Sequence, residues 1–475
     1  MGVVIYRYVL RLYHRASDFF LFLQRRNENV IMKIIIAGDG ETGTHLANTL
    51  SVENQDIVLM GTDREHLSEL DAVSNFITFE GSPMSVTNLM QCGVDSADLF
   101  VAVTPDETVN LISCELAKDC GARKCVARVD NPEFDSDKVK RMFRDRGIDM
   151  TIFPEKLAAA EIAGFIDHNW VSEWSKFNKG ELFVVGVRME SGGELCGKYL
   201  SEVPNTPRMF HVSAIKRGNE IIIPRGSDRL LEGDTIYFSV LPQNLDLLPA
   251  LCGKKVTHVK RIMISGAGRV TEHLLELIES KYDITVIDPD KERCRIIASR
   301  FPKTVVINAT ANDVVTLKEE GIDGCNMFLA LTGSSEKNIV SCMVAREHKV
   351  AKTLARIEEL QYVPEAKSLS IDKIINKKLL NAGRILSLLL DANANTTQSF
   401  AFDNAEIACM TAPADSKIVS RPIYQLSLPR ELTIGGVIRN GEGMLVEGRT
   451  QILPGDNVVV FFVTGALGKV ERLFR

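Results

Sequence analysis

The residues best suited to chemistry in this chain are glycines. Gly38, Gly40 and Gly43 follow the apolar run Ile34, Ile35, Ile36, Ala37 and lead into the helical pattern His45, Leu46, Ala47, Leu50. A strand that ends in Gly-x-Gly-x-x-Gly and opens a helix can cradle a pyrophosphate. The first glycine permits the tight turn, the second admits the ligand to the backbone, and the third lets helix pack on strand. The free N–H groups and dipole at the helix N-terminus favour the anion. The chemistry is therefore nucleotide binding, with the main chain of Gly38, Asp39, Gly40, Glu41, Thr42 and Gly43 as the phosphate cradle.

An altered copy of this turn occurs later in the chain, where Ile262, Met263, Ile264 and Ser265 run into Gly266, Ala267, Gly268, Arg269 and Val270. Other candidate ligand residues recur in step with it. Thr104 with Pro105, and Thr332 with Gly333, stand where a fourth strand would end, on the crevice that open α/β sheets use for ligands. Arg128 and Arg356 end the next strand, as fixed cations for phosphate or ribose. The two copies differ where a dinucleotide fold places the acid that accepts from ribose hydroxyls. The second has Asp288 there, whereas the first has Gly61, with Asp63 two positions on. Conversely, Thr271 replaces the third glycine of the second turn. Losing one charge-assisted contact weakens binding by roughly 1.5–3 kcal/mol, or ten- to a hundredfold. The two halves are thus expected to bind nucleotide unequally, or to bind different nucleotides.

The elements that must position these residues are duplicated too. Apolar runs near 33–37, 57–61, 76–80, 99–103 and 124–128 predict strands, and the runs near 261–265, 284–288, 304–308, 327–331 and 352–356 repeat them. Amphipathic stretches lie between, the alternation of a parallel α/β sheet. Each block is followed by a long apolar helix. The first holds Leu157, Ile162, Phe165, Ile166, Trp170 and Trp174; the second holds Leu379, Leu380, Ile385, Leu386 and Leu389. Such wide apolar faces either cover their own sheet or bury against another subunit or the other half. A smaller module follows each helix, with Gly233-Asp234 and Gly455-Asp456 turning into β-branched runs. The fold class is α/β: two Rossmann-like parallel-sheet domains, each followed by a small α+β C-terminal domain. The expected boundaries are an N-terminal extension 1–31, a nucleotide domain 32–154, a hinge helix 155–180 and a small domain 181–250. A second nucleotide domain 259–376, hinge helix 377–397 and small domain 398–475 complete the chain.

Length and composition agree with this division. A chain of 475 residues exceeds what one core sustains. A net charge of −6 argues against nucleic acid as a partner, which would call for a basic stripe. Ten cysteines are scattered without metal-ligand spacing, so no metal site is expected and free thiols are the default. No run of 18 apolar residues predicts a membrane span. Residues 1–31 carry Arg7, Arg11, Arg15, Arg25 and Arg26 around Phe19–Leu23. They read either as a basic amphipathic anchor or, the favoured reading, as sequence upstream of a start at Met32.

These motifs make the chain recognisable. The turn Gly38-Asp39-Gly40-Glu41-Thr42-Gly43, the stretch Val103-Thr104-Pro105-Asp106-Glu107 and Ala127-Arg128-Val129 resemble the regulatory NAD-binding subunits of Trk-type potassium uptake systems, as do Ser265-Gly266-Ala267-Gly268, Leu331-Thr332-Gly333 and Ala355-Arg356-Ile357. That family fuses two regulator-of-potassium-conductance units, and the resemblance covers Met32 to Arg475. It implies NAD(H), with ADP or ATP as further ligands, and a membrane potassium-translocating subunit as partner. It also implies a homo-oligomer, dimer or tetramer, peripheral on the cytoplasmic face of the plasma membrane, and gating rather than catalysis. In this family a Glu placed like Glu155, at the hinge-helix entrance, approaches the nucleotide; a helix N-terminal acid is the simpler reading. Two alternatives remain: an NAD-dependent oxidoreductase, which the eight histidines do not favour because they form no constellation, or a regulator of a different ion channel or efflux system.

Overall fold

The computed structural model describes residues 32–51, 55–203, 209–218, 220–310, 314–369, 371–393, 396–402 and 405–475. The extension 1–31, with both of its readings, lies outside the described residues.

Two six-stranded parallel sheets and two five-stranded antiparallel sheets alternate along the chain. The first parallel sheet comprises β1 (Lys33–Ala37), β2 (Asp56–Gly61), β3 (Ile77–Glu80), β4 (Leu99–Ala102), β5 (Lys124–Arg128) and β6 (Met150–Ile152), in the order β3-β2-β1-β4-β5-β6. A small sheet follows, of β7 (Glu173–Phe177), β8 (Leu182–Arg188), β9 (Phe210–Arg217), β10 (Glu220–Ile222) and β11 (Thr235–Val240). The second parallel sheet repeats the first order with β12 (Arg261–Ser265), β13 (Asp283–Asp288), β14 (Val305–Asn308), β15 (Met327–Ala330), β16 (Lys352–Arg356) and β17 (Lys373–Ile375). The last sheet holds β18 (Thr396–Phe402), β19 (Ala405–Thr411), β20 (Leu432–Arg439), β21 (Glu442–Leu445) and β22 (Asn457–Val463).

The central strands are buried on both faces, as helices on either side of a parallel sheet require. Ile34, Ile35, Ile36 and Ala37 are all fully buried, as are Met327, Phe328, Leu329 and Ala330. Strand order reverses between β1 and β4 and between β12 and β15, so each sheet has one switch point where a crevice opens at the carboxyl ends.

Four helices bear on the site: α1 (Glu41–Ser51), α2 (Pro154–Asp167), α3 (Arg269–Ile278) and α4 (Lys377–Asn393). Two of them are exchanged between the halves. Ala158, Ile162, Phe165 and Ile166 of α2 share a core with Ile262, Ile264, Leu274 and Val286 of the second half. Ala382 and Ile385 of α4 pack with Ile34, Ile36, Leu46 and Leu50 of the first. The apolar faces of these helices therefore cover the opposite half.

The helix expected over 155–180 ends earlier, at Asp167, and Trp174 stands on the edge strand β7. The apolar run continues past residue 167 because Trp170 and Val171 enter the core of the first small sheet. The small sheet thus starts before residue 181, and its partner starts at Thr396 rather than 398. The two small sheets pack together: Phe177, Leu182, Val184 and Tyr237 meet Ile407, Ile438, Val459 and Phe461 in one cluster.

The Gly-Asp signature has a structural cause. Asp234 and Asp456 are both 2% exposed. Arg217 on the neighbouring strand donates to Asp234 at 2.9 and 2.7 Å, and Arg439 donates to Asp456 at the same distances. Each Asp also accepts the backbone N–H of the residue three before it, Leu231 or Leu453, which closes the turn.

Candidate functional site

Both glycine turns sit on the switch-point crevices. Gly38 has φ +127°, and a Cβ there would lie 3.0 Å from the backbone N of Thr104, so only glycine lets β1 pass so close to the end of β4. Gly266 repeats this with φ +109° and Thr332 N at 2.9 Å. Gly40 and Gly268 differ in kind, since a Cβ on either meets no protein atom within 4 Å. Their bare Cα atoms face open space, and Gly268 lines the crevice of the second half. A Cβ on Gly43 would lie 1.8 Å from the carbonyl oxygen of Gly38, so this position must be glycine. The second turn solves the same contact with a buried hydroxyl, as Thr271 Oγ1 donates to the Gly266 carbonyl at 2.6 Å.

The end of β2 carries no side chain of its own at Gly61, but a carboxylate lies over it. Strand pairing puts Met60 opposite Ala37 and Ile287 opposite Ser265, so Gly61 and Asp288 hold equivalent places. In the second half Asp288 accepts the N–H of Ala267 at 2.7 Å and the N–H of Asp290 at 2.7 Å. In the first half Asp39, the equivalent of Ala267, extends its carboxylate over Gly61 and accepts the N–H of Asp63 at 2.9 Å. A Cβ on Gly61 would be 2.1 Å from Asp39 Oδ2. The first half therefore places a carboxylate at the end of β2 from the glycine turn instead of from the strand itself. Asp63 caps the helix Arg64–Asp71 with its side chain, as Asp290 caps Lys291–Arg300.

A pair of buried asparagines shapes the far wall. Asn110 Oδ1 accepts the N–H and the hydroxyl of Thr104 at 2.9 and 2.7 Å, while its amide donates to the carbonyls of Thr104 and Arg128 at 3.0 Å each. Asn338 does the same for Thr332 and Arg356, at 3.1 and 2.6 Å and at 3.0 and 2.7 Å. Both asparagines hold matching places in the two repeats, and their role as clamps between neighbouring strand ends is legible only in three dimensions. Pro105 is exposed in the turn beyond Thr104.

The arginines hold acids of their own. Arg128 lies 3.4 Å from Asp130, and its buried Nε has no partner among the described residues. Arg356 is paired with Glu358. In the second half Gly266 to Val270, Asp288, Thr332, Gly333 and Arg356 line one cleft of about 680 Å³. The volume is within the range of small-molecule sites. Glu155 and Lys377 complete it. Glu155 stands at the start of the exchanged helix α2, so the second site is built from both halves of the chain. Lys377 Nζ donates to Glu155 Oε1 at 2.9 Å. Burial pushes the Glu155 carboxyl up, but the charge and hydrogen bond of Lys377, with Arg128 nearby, hold it below the usual range. Lys378, the next residue, pairs with Glu41 on the first glycine turn. Sequence reasoning missed both lysines as site residues, because nothing local reveals which half they reach.

His45 and His273 lie on the helices after the glycine turns. Burial lowers the pKa of His45, whose ring approaches Thr49, and His273 contacts Glu276.

Fold and site define a tandem nucleotide-binding regulator of the kind built from two regulator-of-potassium-conductance units. The TrkA-N domain model matches residues 34–154 and 262–377, and the TrkA-C domain model matches 184–253 and 408–475. The chain belongs to the TrkA family, regulatory subunits of Trk potassium uptake and not enzymes. A similar relative is the "Trk system potassium uptake protein TrkA homolog 1" of Methanosarcina mazei, 30% identical over 94% of this chain and 100% of its own length. The "Trk system potassium uptake protein TrkA" of Haemophilus influenzae is 28% identical over 94% of this chain and 99% of its own. Among solved structures, the GsuK RCK domain aligns with TM-score 0.58 and 15% identity over 95% of this chain and 99% of that one. The GsuK channel bound to NAD aligns with TM-score 0.60 and 15% identity over 98% of this chain and 85% of that one.

Proposed function

We propose that this chain gates a membrane potassium-translocating subunit from the cytoplasmic face, in response to NAD(H) or an adenine nucleotide bound in the two crevices. The observation that carries this reading is the second cleft, walled by its own glycine turn and closed by Glu155 from the opposite half. Ligand entering there touches both halves, and so bears on their relative arrangement. A ligand shifts such an equilibrium only by its differential affinity for the two arrangements, and a cleft shared between moving parts supplies that difference.

The residues fit a nucleotide. Main-chain N–H groups of Gly38–Gly43 and of Gly266–Val270 would hold phosphates, Asp39 and Asp288 would accept from ribose hydroxyls, and Arg128 and Arg356 would flank the phosphates. NAD(H) is supported by a channel of the same fold solved with NAD. The chain acts as a homo-oligomer, two copies of which supply four parallel-sheet domains, and docks on its partner peripherally. Among the described residues no helix is long and apolar enough to cross a membrane.

The test is potassium flux through the translocating partner in proteoliposomes, with the full chain added and NAD, NADH, ADP and ATP compared. Flux that depends on the chain and responds to nucleotide supports the reading. Flux indifferent to all four nucleotides, with no thermal shift of the chain in any of them, sinks it.

A further inference from the structure

The two glycine turns differ in the charge that follows them. Position 41 opens α1 just after Gly40, and position 269 opens α3 just after Gly268. The first is Glu41 and the second is Arg269, so equivalent places at the ligand end of each helix carry opposite charges. The residue reaching each site from the other half is inverted in the same way. Val129 donates to Ile152 at the end of β6, and Ile357 donates to Ile375 at the end of β17, which fixes the alignment of the two exchanged helices. Three residues beyond these points stand Glu155 and Lys378. Glu155 faces the second site, which holds Arg269. Lys378 meets Glu41 at the first.

We propose that Lys378, reaching across from the second half, is a cation that takes a nucleotide's phosphate in the first site beside Arg128, the part Arg269 would play from within the second. This rests on the nucleotide reading above. Three observations carry it. A carboxylate at a helix N-terminus occupies the place an anion would take, so Glu41 by itself opposes phosphate. Lys378 is the positive group in contact with that carboxylate. The two partners also differ in freedom: the Lys378 side chain is 11% exposed and donates to the Glu358 carbonyl at 2.7 Å, whereas Glu41 is 72% exposed. When a phosphate arrives, the anchored lysine stays and the exposed glutamate swings into solvent. The Glu41–Lys378 pair is then a resting contact that ligand replaces, and a phosphate in the first site ties α1 of one half to α4 of the other. In the second site the residue crossing over at that place is an acid, Glu155, already held by Lys377. Nucleotide phosphate thus meets a crossing cation at the first site and a crossing acid at the second.

The experiment uses the full chain carrying Gly268→Trp, which fills the second crevice, and measures ADP and NADH binding by calorimetry. Lys378→Gln should weaken binding at least tenfold. Lys378→Arg should stay within about threefold of the parent, as should the exchange Glu41→Lys with Lys378→Glu, which restores a cation by the route the second site uses. Glu41→Gln should tighten binding severalfold by removing the competitor. Unchanged affinity in Lys378→Gln, weaker binding in Glu41→Gln, or loss of binding in both Lys378→Arg and the charge exchange overturns the assignment. A Gly268→Trp parent that binds neither ligand overturns the nucleotide reading of the first site itself, a distinct failure.

Discussion

The carboxylate of Asp39 lies over Cα of Gly61, in the space a side chain at residue 61 would need. The two identities are coupled, because an acid at either position excludes a bulky neighbour at the other. Gly61→Asp alone should destabilise the chain, seen as a lowered Tm, while Asp39→Ala with Gly61→Asp should recover it and resemble the second half. Asp39→Ala alone should weaken nucleotide at the first site by roughly ten- to a hundredfold, the loss of one charge-assisted contact. Calorimetry with the second site blocked checks this, and unchanged affinity removes Asp39 from the site.

Gly40 and Gly268 separate binding from folding. A side chain at either position meets open space in the protein, so Gly40→Trp and Gly268→Trp should fold with near-parental Tm and each lose nucleotide at its own site. If gating responds normally to nucleotide in Gly40→Trp, the first site is not the sensor.

Gly43 behaves oppositely. Gly43→Ala puts a methyl group 1.8 Å from the Gly38 carbonyl oxygen and should unfold or distort the first turn whether or not ligand is present. Thr271→Val, which keeps the shape and removes the hydroxyl, should cost about 1 kcal/mol for the lost bond to Gly266. Urea unfolding reads both.

The Glu155–Lys377 pair gives a pH signature. The Glu155 carboxyl titrates below its usual range in the folded chain, so its contribution to stability is present above the unfolded value near 4.5 and is lost as pH falls through the folded value. Lys377→Met should remove that part of the acid dependence and cost about 1–3 kcal/mol at neutral pH, since it leaves a half-buried carboxylate without its cation. Tm measured between neutral and acidic pH in both proteins tests it.

The exchanged helices predict where damage travels. Ile385 is fully buried in the core of the first half although it lies in the second. Ile385→Ala should cost about 2–5 kcal/mol and raise hydrogen exchange in β1 and α1, far away in sequence. Protection lost only around Ile385 itself would contradict the exchange.

The central strands were legible because a strand buried on both faces must be an unbroken apolar run, and residues 34–37 and 327–330 are such runs. The sixth strands, Met150–Ile152 and Lys373–Ile375, went unread because three residues carry no period. The first long helix was read past Asp167 because an apolar face does not announce which core it enters, and Trp170 belongs to the next sheet. At the site, the glycines and Asp288 stood out through local spacing. Lys377 and Lys378 did not, since their role depends on a crossing between halves that only the folded chain reveals. At Gly61 the carboxylate that lies over the strand end comes from Asp39, adjacent in space but outside the strand, which local spacing does not reveal.

The crossing of α2 and α4 also bears on how such a chain diverges. In a dimer of identical subunits every substitution is made twice, so Glu155 and Lys378, which occupy matching places, would have to be the same residue. Fusion of the two copies lifts that restriction. One polypeptide can then hold an acid at one mouth and a base at the other, a broken symmetry that no self-paired interface is able to encode.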